Sequence, residues 1–381
     1  MFFSLNAPIF DSFRVQQAAG IFDVPLAEKV TQQFEAETPD LTEPDWKIGL
    51  IVGPSGSGKS SVARELFGSS LYEPLDWPSD RAILDGFDST LSVREITALL
   101  TAVGFSSPPG WVKPFSVLSN GEKFRCDLAR ALSAGLVRQK AERNSDPTDS
   151  TSLESASPNA LIAFDEFTSV VDRTVAKVAS AAIAKGIRQG SIPTRFVAVT
   201  CHYDVAEWLE PDWVLDMANR KLIRRCLRRP EIQLEIHRTH FSVWPMFARH
   251  HYLSASLAPS ARCFLATWNG TPVAFCGVLP LISHKNHRRI SRLVTLPDFQ
   301  GLGIGMRFAE AVGEIYHEQG LRLSITGSHP AVIAHCRRSP RWRTVSVKGA
   351  SSNPKQSAIP RYRGSGSRIV VSFEFLPSTP Y

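Results

Sequence analysis

Residues 53–60, with the sequence GPSGSGKS, combine three glycines with a lysine and a serine in a spacing that suits phosphate binding. Glycines allow backbone N–H groups to converge on one anion, and the lysine can reach the outer phosphates of a nucleotide. The serine after the lysine is a suitable Mg²⁺ ligand. The pattern therefore predicts a site for ATP. Its predicted ligands are Gly53, Ser55, Gly56, Gly58, Lys59, Ser60 and Ser61.

Two adjacent acids follow an apolar run at residues 161–164. Hydrolysis of a phosphoanhydride needs one group that holds the metal ion and another that polarises the attacking water. We expect Asp165, together with Ser60, to hold Mg²⁺ and Glu166 to be catalytic. A strand that merely ends in polar residues is the alternative interpretation, and the glycine loop upstream argues against it.

A second glycine loop, QGLGIG at residues 300–305, separates a predicted strand at 292–297 from a predicted helix at 306–319. Its backbone N–H groups would lie at the start of a helix, where a pyrophosphate can bind. A dinucleotide site is one alternative. Such a site has an acidic residue about 20 positions after its glycines, and none stands there. The loop therefore favours a different ligand.

The predicted strands and helices that position these two loops belong to two separate domains. A chain of 381 residues exceeds what one hydrophobic core usually serves, so two domains are expected. We predict an α/β domain at 1–228, with a polar, low-complexity and disordered insertion at 139–159, and a mixed α/β domain at 229–381. Within the second domain, Asn269 and Gly270 lie between two alternating runs and predict a β-hairpin.

Charge distinguishes the two halves. Residues 231–381 hold 18 Lys and Arg against 7 Asp and Glu, within a chain whose total net charge is +7. A basic domain favours a polyanionic partner, either nucleic acid or the phosphates of a cofactor, and a solvated basic surface is the alternative. Cations stand beside aromatic residues at 341–343 and 361–363, as on surfaces that bind nucleic acid.

Membrane insertion and an oxidising compartment are not indicated. Charges and prolines interrupt the apolar runs well short of the roughly 20 residues that a membrane span needs. The first residues, MFFSLNAPIFDSF, lack a basic leader. The six cysteines show no paired CxxC spacing, so neither a disulfide framework nor a zinc site is predicted. We therefore expect a cytoplasmic protein that does not bind a membrane.

Three further segments resemble motifs of the ABC ATPases in the order of that family. Residues 118–122, LSNGE, resemble the signature, residues 169–172 resemble the D-loop that ends in Asp172, and His202 resembles the switch histidine. The resemblance implies a homodimer that closes head to tail on ATP. Ser119 and Gly121 of one copy would then meet the γ-phosphate of the ATP on the other. The resemblance also implies that Asp172 contacts ATP and that His202 is catalytic.

The chain departs from the ABC pattern at several positions. Residues 62–118 contain no glutamine, so the Mg²⁺ ligand that couples the family to a transmembrane partner is missing, and Asp85 stands as its replacement. Phe167 occupies a position that is usually proline in transporter subunits, and Phe22 is the candidate for stacking on the base. These departures favour a soluble ATPase over the ATP-binding subunit of a transporter, which stays an alternative.

The second loop resembles motif A of the GNAT acyltransferases, Gln/Arg-x-x-Gly-x-Gly/Ala. The resemblance implies that acetyl-CoA, or another acyl-CoA, lies along the preceding strand with its pyrophosphate on the loop. The implied acyl-CoA ligands are Val294, Leu296, Gln300, Gly301, Gly303 and Gly305.

The catalytic acid and base of the second domain are harder to assign. Residues 236–297 contain no Asp or Glu, and the position of the family's usual tyrosine falls on Cys336. We choose His251 and Tyr252, because the predicted first helix at 241–253 borders the acceptor site in the GNAT fold. The pair also resembles the Mom-like phage proteins, GNAT relatives that modify adenine in DNA. The other imidazoles that can titrate near neutral pH are His250, His284, His287 and His335.

The sequence thus predicts a P-loop ABC-type ATPase domain followed by a mixed α/β, GNAT-like acyltransferase domain. The expected function is ATP hydrolysis coupled to acyl transfer, with nucleic acid as the acceptor. An ATP-dependent scaffold whose second domain only binds its ligand is the main alternative, and the missing carboxylate favours it.

Overall fold

A computed structural model describes residues 1–8, 12–22, 29–43, 45–144, 160–224, 229–251, 256–282, 284–349 and 369–377. Its strands form a two-stranded, a six-stranded and a seven-stranded sheet. The first two sheets lie within residues 1–224, which we call the N-terminal unit, and the third lies within residues 229–377, which we call the C-terminal unit.

The N-terminal unit alternates strands and helices as an α/β fold does. Its elements are β1 (Phe2–Pro8), α1 (Phe13–Phe22), β2 (Lys29–Glu35), β3 (Ile48–Val52), α2 (Lys59–Phe67), β4 (Leu71–Tyr72), α3 (Val93–Ala102), α4 (Pro108–Trp111), α5 (Asn120–Asn144), β5 (Ala160–Phe164), α6 (Arg173–Arg188), β6 (Thr194–Thr200), α7 (Ala206–Leu209), β7 (Trp213–Asp216) and β8 (Lys221–Arg224).

The six-stranded sheet has the order β4-β5-β6-β3-β7-β8. All five residues of β3 are buried, as its apolar sequence predicts for a central strand. β3 pairs in parallel with β6 and β7, and β5 pairs in parallel with β6. The carboxyl ends of β5, β6 and β3 therefore lie next to one another at one edge of the sheet.

Helix α5 extends into the segment that was predicted to be a disordered insertion. It continues to Asn144, so residues 139–144 are helical, and the prediction of a disordered insertion was wrong for these six positions. Residues 145–159 of the predicted insertion lie outside the described residues. The apolar residues of the first half of α5, among them Phe124, Leu128 and Leu132, pack in the larger core of the unit and hold the helix against the sheet.

The C-terminal unit is a mixed α/β fold, as predicted. Its elements are β9 (Glu235–Thr239), α8 (Trp244–Ala248), β10 (Arg262–Trp268), β11 (Thr271–Pro280), β12 (His287–Thr295), α9 (Ile304–Glu318), β13 (Arg322–Gly327), α10 (Pro330–Arg338), β14 (Trp342–Lys348) and β15 (Val370–Phe375). The order in the sheet is β14-β15-β13-β12-β11-β10-β9.

The predicted hairpin is confirmed. β10 and β11 pair antiparallel as far as Trp268 and Thr271, which leaves a two-residue turn. Asn269 and Gly270 have φ angles of 50° and 75°, the positive values that this tight turn requires.

β12 is the strand that leads to the second glycine loop. It pairs in parallel with β13 only from His287 to Ile290, and a register shift against β11 leaves Ser291 bulged. A bulge bends its strand and increases its twist. The last residues of β12 therefore diverge from β13 and open a gap between two parallel strands.

The first helix of the C-terminal unit is shorter than predicted. A one-turn 3₁₀ segment precedes α8, which ends at Ala248, so the expected helix at 241–253 was wrong at residues 249–251. Pro245 lies in the first turn of α8, where proline is favoured because the N–H that it lacks would have no partner within the helix. His251 follows the helix in a turn, with its N–H donating to the carbonyl of Ala248 at 3.2 Å, and Tyr252 lies outside the described residues.

The two units pack against each other through α6. Val178 of this helix is fully buried in the core of the C-terminal unit. Trp208 of α7 meets Trp268 edge to face at 5.6 Å, and Trp268 meets Phe299 at 6.0 Å. Buried apolar surface of this kind fixes the second glycine loop against the N-terminal unit.

The described residues include no helix that is long and apolar enough to cross a membrane.

Candidate functional site

The first glycine loop connects β3 to α2, which is the strand, loop and helix order that a phosphate site requires. Gly58 precedes the helix in the left-handed conformation, with φ 88° and ψ 12°. Lys59 is buried, and its Nζ donates to the carbonyl of Pro54 across the loop at 2.8 Å. The hydroxyl oxygen of Ser57 is buried and has no hydrogen-bond partner among the described residues. The loop is thus curled around its own lysine, and Ser57 is a polar group that the sequence reasoning missed.

All the predicted ATP ligands lie in this loop or in the first turn of α2. They are Gly53, Ser55, Gly56, Gly58, Lys59, Ser60 and Ser61.

The predicted acids and the predicted switch histidine lie at the same edge of the sheet. Asp165 and Glu166 follow β5, and His202 comes two residues after the end of β6, the strand between β5 and β3. Glu166 has a φ of 52°, and its carboxylate accepts a hydrogen bond from Ser169 at 2.6 Å. Parallel strands thus bring these side chains to the loop that follows β3.

The surroundings of His202 disfavour the charged form of its imidazole. Burial lowers its pKa, and the nearby Arg173 guanidinium lowers it further. Its Nδ1 lies 3.4 Å from the hydroxyl of Thr168. A neutral ring can accept a proton or a hydrogen bond, so the arrangement suits a residue that senses a phosphate or a water.

The predicted Mg²⁺ ligands are not preassembled. Ser60 lies in the first turn of α2 and Asp165 follows β5, and their role as metal ligands stays a prediction. Asp85 lies exposed in a one-turn segment, Ile83–Gly86. Within the described ranges, no three His, Cys, Asp or Glu side chains form a group that could hold a metal ion. The role of Asp85 stays a prediction.

Two of the predicted nucleotide contacts also cap helices. Ser119 forms a capping box with Glu122 at the start of α5, its hydroxyl donating to the carboxylate at 2.8 Å. Asp172 accepts from the N–H groups of Thr174 and Val175 at the start of α6. Gly121 lies in the first turn of α5. Helix capping explains two of these residue types without a nucleotide, and their contact with ATP stays a prediction.

Two aromatic predictions have different surroundings. Phe167 is fully buried and packs against Phe124, Phe164 and Phe196, so core packing explains why it is not proline. Phe22 ends α1 with 75% of its surface exposed, and its stacking on a base stays a prediction.

The second glycine loop connects β12 to α9 through a 3₁₀ turn, Pro297–Phe299. Gly303 precedes the helix with φ 88° and ψ 10°, and Gly301 has a φ of 93°. The side chain of Gln300 accepts from the N–H of Ser106 at 2.8 Å and donates to the carbonyl of Thr295 at 3.0 Å. Gln300 therefore fastens the loop to β12 and to the N-terminal unit.

This loop opens into a cavity of about 410 Å³ between the two units. The end of β12, the start of α9 and one face of α10 line it, together with α3 and the end of α6 from the N-terminal unit. Five of the six predicted acyl-CoA residues lie on its wall, and Leu296 does not. The N–H of Leu296 donates to the carbonyl of Val273 at 2.9 Å instead. The five on the wall are Val294, Gln300, Gly301, Gly303 and Gly305.

Four histidines line the cavity, and two of them have structural roles. The Nε2–H of His329 donates to the carbonyl of Ser106 at 2.9 Å, while its Nδ1 caps α10, and burial lowers its pKa. His250 accepts from Arg249 at 3.0 Å, and burial followed by that arginine lowers its pKa. His251, the predicted catalytic residue, packs its ring against Trp244 at 5.9 Å.

The fourth histidine, His335, is oriented by a buried carboxylate. Its Nε2–H donates to Glu310 at 2.8 Å, and the same oxygen accepts from Ser339 and Trp342, each at 3.2 Å. Burial raises the pKa of Glu310, but these hydrogen bonds outweigh it and the net shift is downward. The sequence reasoning missed Glu310; its signal was an acid on the buried face of α9, beside Phe308 and Ala309.

Other candidates are excluded by position or by burial. His284 and His287 lie at the start of β12, away from the cavity that its end lines. Cys336 faces the core, and burial raises the pKa of its thiol to about 12. Neither a thiolate nor these two imidazoles can serve a reaction in the cavity.

Part of the predicted basic surface is paired with acids. Arg341 pairs with Glu314, and Arg343 pairs with Glu374 at 2.8 Å. Arg337 and Arg338 are exposed, as are His284 and Lys285, and residues 350–368 lie outside the described residues. A contact with nucleic acid could therefore use only some of the predicted cations without breaking ion pairs.

Comparison with known proteins identifies the family that the C-terminal unit resembles. Residues 229–335 match the family model described as Acetyltransferase (GNAT) family, so this segment is a GNAT acetyltransferase domain. The match covers less than half of the chain. No curated protein matches the sequence.

Several solved structures resemble parts of the chain. The IAA acetyltransferase from Bacillus cereus ATCC 14579 is 15% identical, with 38% of this chain and 99% of that one covered and a TM-score of 0.29. The ribosomal-protein-S18-alanine N-acetyltransferase from Escherichia coli is 15% identical, with 39% and 97% covered and a TM-score of 0.30. A bacterial Atm1-family ABC exporter with ATP bound is 19% identical, with 52% and 35% covered and a TM-score of 0.29.

Proposed function

We propose that the C-terminal unit transfers an acyl group from an acyl-coenzyme A, such as acetyl-CoA, to the nitrogen of an amine. The observation that carries this proposal is the second glycine loop, which opens at a helix N-terminus into the cavity where β12 diverges from β13. Three of the first backbone N–H groups of α9 have no partner within their helix, which suits a diphosphate.

The residues of the loop fit this donor. A side chain at Gly305 would place its Cβ 2.7 Å from the hydroxyl of Thr295, so only glycine keeps the wall open there. Gly303 adopts a conformation that disfavours other residues. The residues that would hold the donor are Val294 along the strand and Gly301, Gly303 and Gly305 at the diphosphate. The donor supplies a thioester, whose carbonyl carbon accepts the amine.

His335 is suited to take the proton of the amine. In the neutral ring, an Nε2–H that donates to Glu310 leaves Nδ1 as the nitrogen that can accept a proton. The amine nitrogen bonds to the acyl carbon, the carbon–sulfur bond breaks, and coenzyme A leaves as a thiolate. One proton passes from the amine to His335 and from there to the thiolate. Glu310 positions the ring and stabilises it when it is charged.

Binding and transfer can be measured separately. Calorimetry with coenzyme A tests the site, and transfer of radiolabelled acetyl groups to DNA, RNA, polyamines and protein tests the reaction. We expect His335→Ala to keep coenzyme A affinity and to lose roughly 100-fold in transfer, as general bases usually contribute. Glu310→Gln should lose less. A protein that binds no coenzyme A and acetylates none of these acceptors refutes the proposal. If His335→Ala transfers acetyl groups as fast as the wild type, His251 becomes the candidate for the base.

We further propose that the N-terminal unit hydrolyses ATP. Support comes from the loop before α2 together with Glu166 and His202 at the neighbouring strand ends. Lys59 would hold the outer phosphates once it exchanges the carbonyl of Pro54 for them, and Ser60 and Asp165 would hold Mg²⁺. Glu166 would polarise the attacking water. Ser119, which is exposed, would complete the site in a second copy of the chain.

The proposed assembly of the ATP site from two copies of the chain can be tested with a single variant. Glu166→Gln keeps the shape of the side chain but removes its basicity, so ATP should persist and hold a head-to-tail homodimer together. Light scattering with ATP and Mg²⁺ measures the mass. A Glu166→Gln protein that stays monomeric at saturating ATP contradicts the head-to-tail arrangement.

Nucleic acid is the acceptor that the charge of the C-terminal unit favours. If it binds through phosphates, each contact releases counterions and the affinity falls steeply with salt. Binding of DNA and RNA should weaken by at least about tenfold between 50 and 200 mM salt. An affinity that does not change over this range argues for a different acceptor.

A further inference from the structure

The second glycine loop contains no lysine, although it has the form of a phosphate site. Residues 300–305 read QGLGIG, whereas the first loop ends in Lys59. Backbone N–H groups alone can bind a diphosphate, but a cation normally accompanies them, because two negative charges must leave water. A cationic side chain from elsewhere in the fold is therefore expected beside this loop.

Lys185 of the N-terminal unit occupies that position. It lies in the last turn of α6, and its Nζ donates a long hydrogen bond of 3.4 Å to the carbonyl of Gly301. A Cβ at Gly303 would lie 3.0 Å from the same nitrogen. Lys185 also lines the cavity between the units. Its ammonium therefore sits against the two glycines that shape the start of α9.

The charges around Lys185 indicate an anionic ligand. Burial lowers its pKa most, and the three charged side chains that lower it further are Arg229, Arg338 and Arg307. Arg338 lines the cavity one turn after His335 on α10, and Arg307 belongs to the second turn of α9. These arginines repel the Lys185 ammonium, so a polyanion bound beside it would stabilise its charged form.

Resting on the acyltransferase function proposed above, we propose that Lys185 binds the diphosphate of the acyl-coenzyme A, in the cavity that Arg338 also lines. The acyl-donor site is then composite: the C-terminal unit provides the backbone of the loop and the N-terminal unit provides its lysine. The corresponding cation in the first loop, Lys59, already donates to a loop carbonyl in the same manner.

A purely structural role for Lys185, as a link between α6 and Gly301, makes a different prediction. A structural lysine would affect every ligand of the cavity and the stability of the contact between the units. A diphosphate-binding lysine would affect only ligands that carry the diphosphate. Coenzyme A and pantetheine, which shares its thiol arm but lacks the diphosphate, separate the two roles.

The experiment measures the affinities of the full chain for these two ligands by calorimetry. Lys185→Met keeps the length of the side chain without its charge, and it should bind coenzyme A about 10- to 100-fold more weakly than the wild type. Lys185→Gln, which keeps a donor for the carbonyl of Gly301, should lose the same affinity. Lys185→Arg should retain most of it. All should bind pantetheine as the wild type does.

Lys177→Ala is the matched control. Lys177 lies two turns earlier on the same helix, where its ammonium approaches Asp204 at 3.9 Å, and its removal should leave coenzyme A binding unchanged. Unchanged coenzyme A affinity in Lys185→Met and Lys185→Gln overturns the proposal, as does an equal loss for pantetheine. A wild-type chain that binds neither ligand fails at the earlier step and overturns the proposed acyltransferase together with this inference.

Discussion

The loop at residues 53–58 and the loop at residues 300–303 lead into their helices with the same backbone form. Gly58 has φ 88° and ψ 12°, and Gly303 has φ 88° and ψ 10°. In both cases a lysine donates to a carbonyl of the loop, Lys59 to Pro54 and Lys185 to Gly301. Two loops that follow strands of different sheets thus share the same backbone conformation before the helix and the same kind of lysine contact.

The loops differ in what surrounds them. Lys59 follows its loop directly in sequence, whereas Lys185 lies 116 residues before Gly301 and belongs to the other unit. Gly56 has nothing within 4 Å of its Cβ position, whereas a Cβ at Gly301 would meet Ala182 at 2.8 Å and the backbone of Gly104 at 2.9 Å. The first loop is complete within one short segment. The second forms only when the two units pack together.

The two loops therefore depend on different parts of the chain for their shape. The first loop needs only β3 and α2, so damage to the C-terminal unit should leave it able to bind a nucleotide. The second loop needs α6, whose other end begins at the Asp172 cap. Damage to α6 should therefore disturb the second loop even when the C-terminal unit itself is intact.

The largest expected effect comes from Lys59→Ala. Its removal takes away the only cation in the first loop, so ATP hydrolysis should fall by at least about 100-fold, the usual cost of losing one charged stabilising group at a phosphate. Release of inorganic phosphate measures the rate. Coenzyme A affinity should stay at the wild-type value, because the second loop has its own lysine.

Lys47→Ala is the control for this substitution, since Lys47 lies exposed before β3 and outside the loop. Hydrolysis by Lys59→Ala at the wild-type rate shows that the first loop is not the ATP site. A simultaneous loss of coenzyme A binding would show that the loops are coupled more tightly than their geometry indicates.

A pair of glycine substitutions tests the difference in surroundings. Gly56→Ala introduces only a left-handed alanine, which costs about 1 kcal/mol of unfolding free energy. Gly301→Ala adds an overlap with Ala182 and with the backbone of Gly104, so it should cost about 3 kcal/mol in total. Denaturant unfolding of both variants measures the difference. An equal decrease in the unfolding free energy of both variants would mean that the two units can move apart at Gly301 without loss of stability.

The local parts of this structure could be predicted from the sequence. The first loop, the buried strand before it and the Asn269–Gly270 hairpin each depend on residues that are adjacent along the chain. The pattern of glycines and lysine needs no knowledge of the tertiary fold. Five of six predicted acyl-CoA residues also lie on the cavity wall, because a strand followed by a helix N-terminus fixes them locally.

The parts that failed depend on contacts between distant segments. Lys185 is one of two lysines on α6, and only the packing of this helix against the second loop distinguishes it. Glu310 carries a weak signal as an acid on a buried helix face, but its partner His335 stands on another helix. Leu296 is absent from the cavity wall and its N–H bonds to the carbonyl of Val273, so its contact with the donor stays a prediction.

The smallest expected effect is a pH dependence that only the second loop should show. Burial and the neighbouring arginines lower the pKa of Lys185 below the usual lysine value, and a bound diphosphate should raise it again. As the pH rises through this lowered pKa, Lys185 loses its proton and the affinity for the donor should fall several-fold. Desulfo-coenzyme A is the suitable probe, because it has no thiol that titrates in the same range.

Lys185→Arg provides the contrast, because arginine stays charged throughout and its affinity should not change between pH 7 and 10. Stability without ligand should move in the opposite direction. The unfolded chain binds more protons at Lys185 than the folded chain between the two pKa values, so the unfolding free energy should rise with pH there. If the affinities of the wild-type and Lys185→Arg proteins depend on pH in the same way, Lys185 does not bind the diphosphate. The second loop would then differ from the first in having no lysine that contacts its ligand.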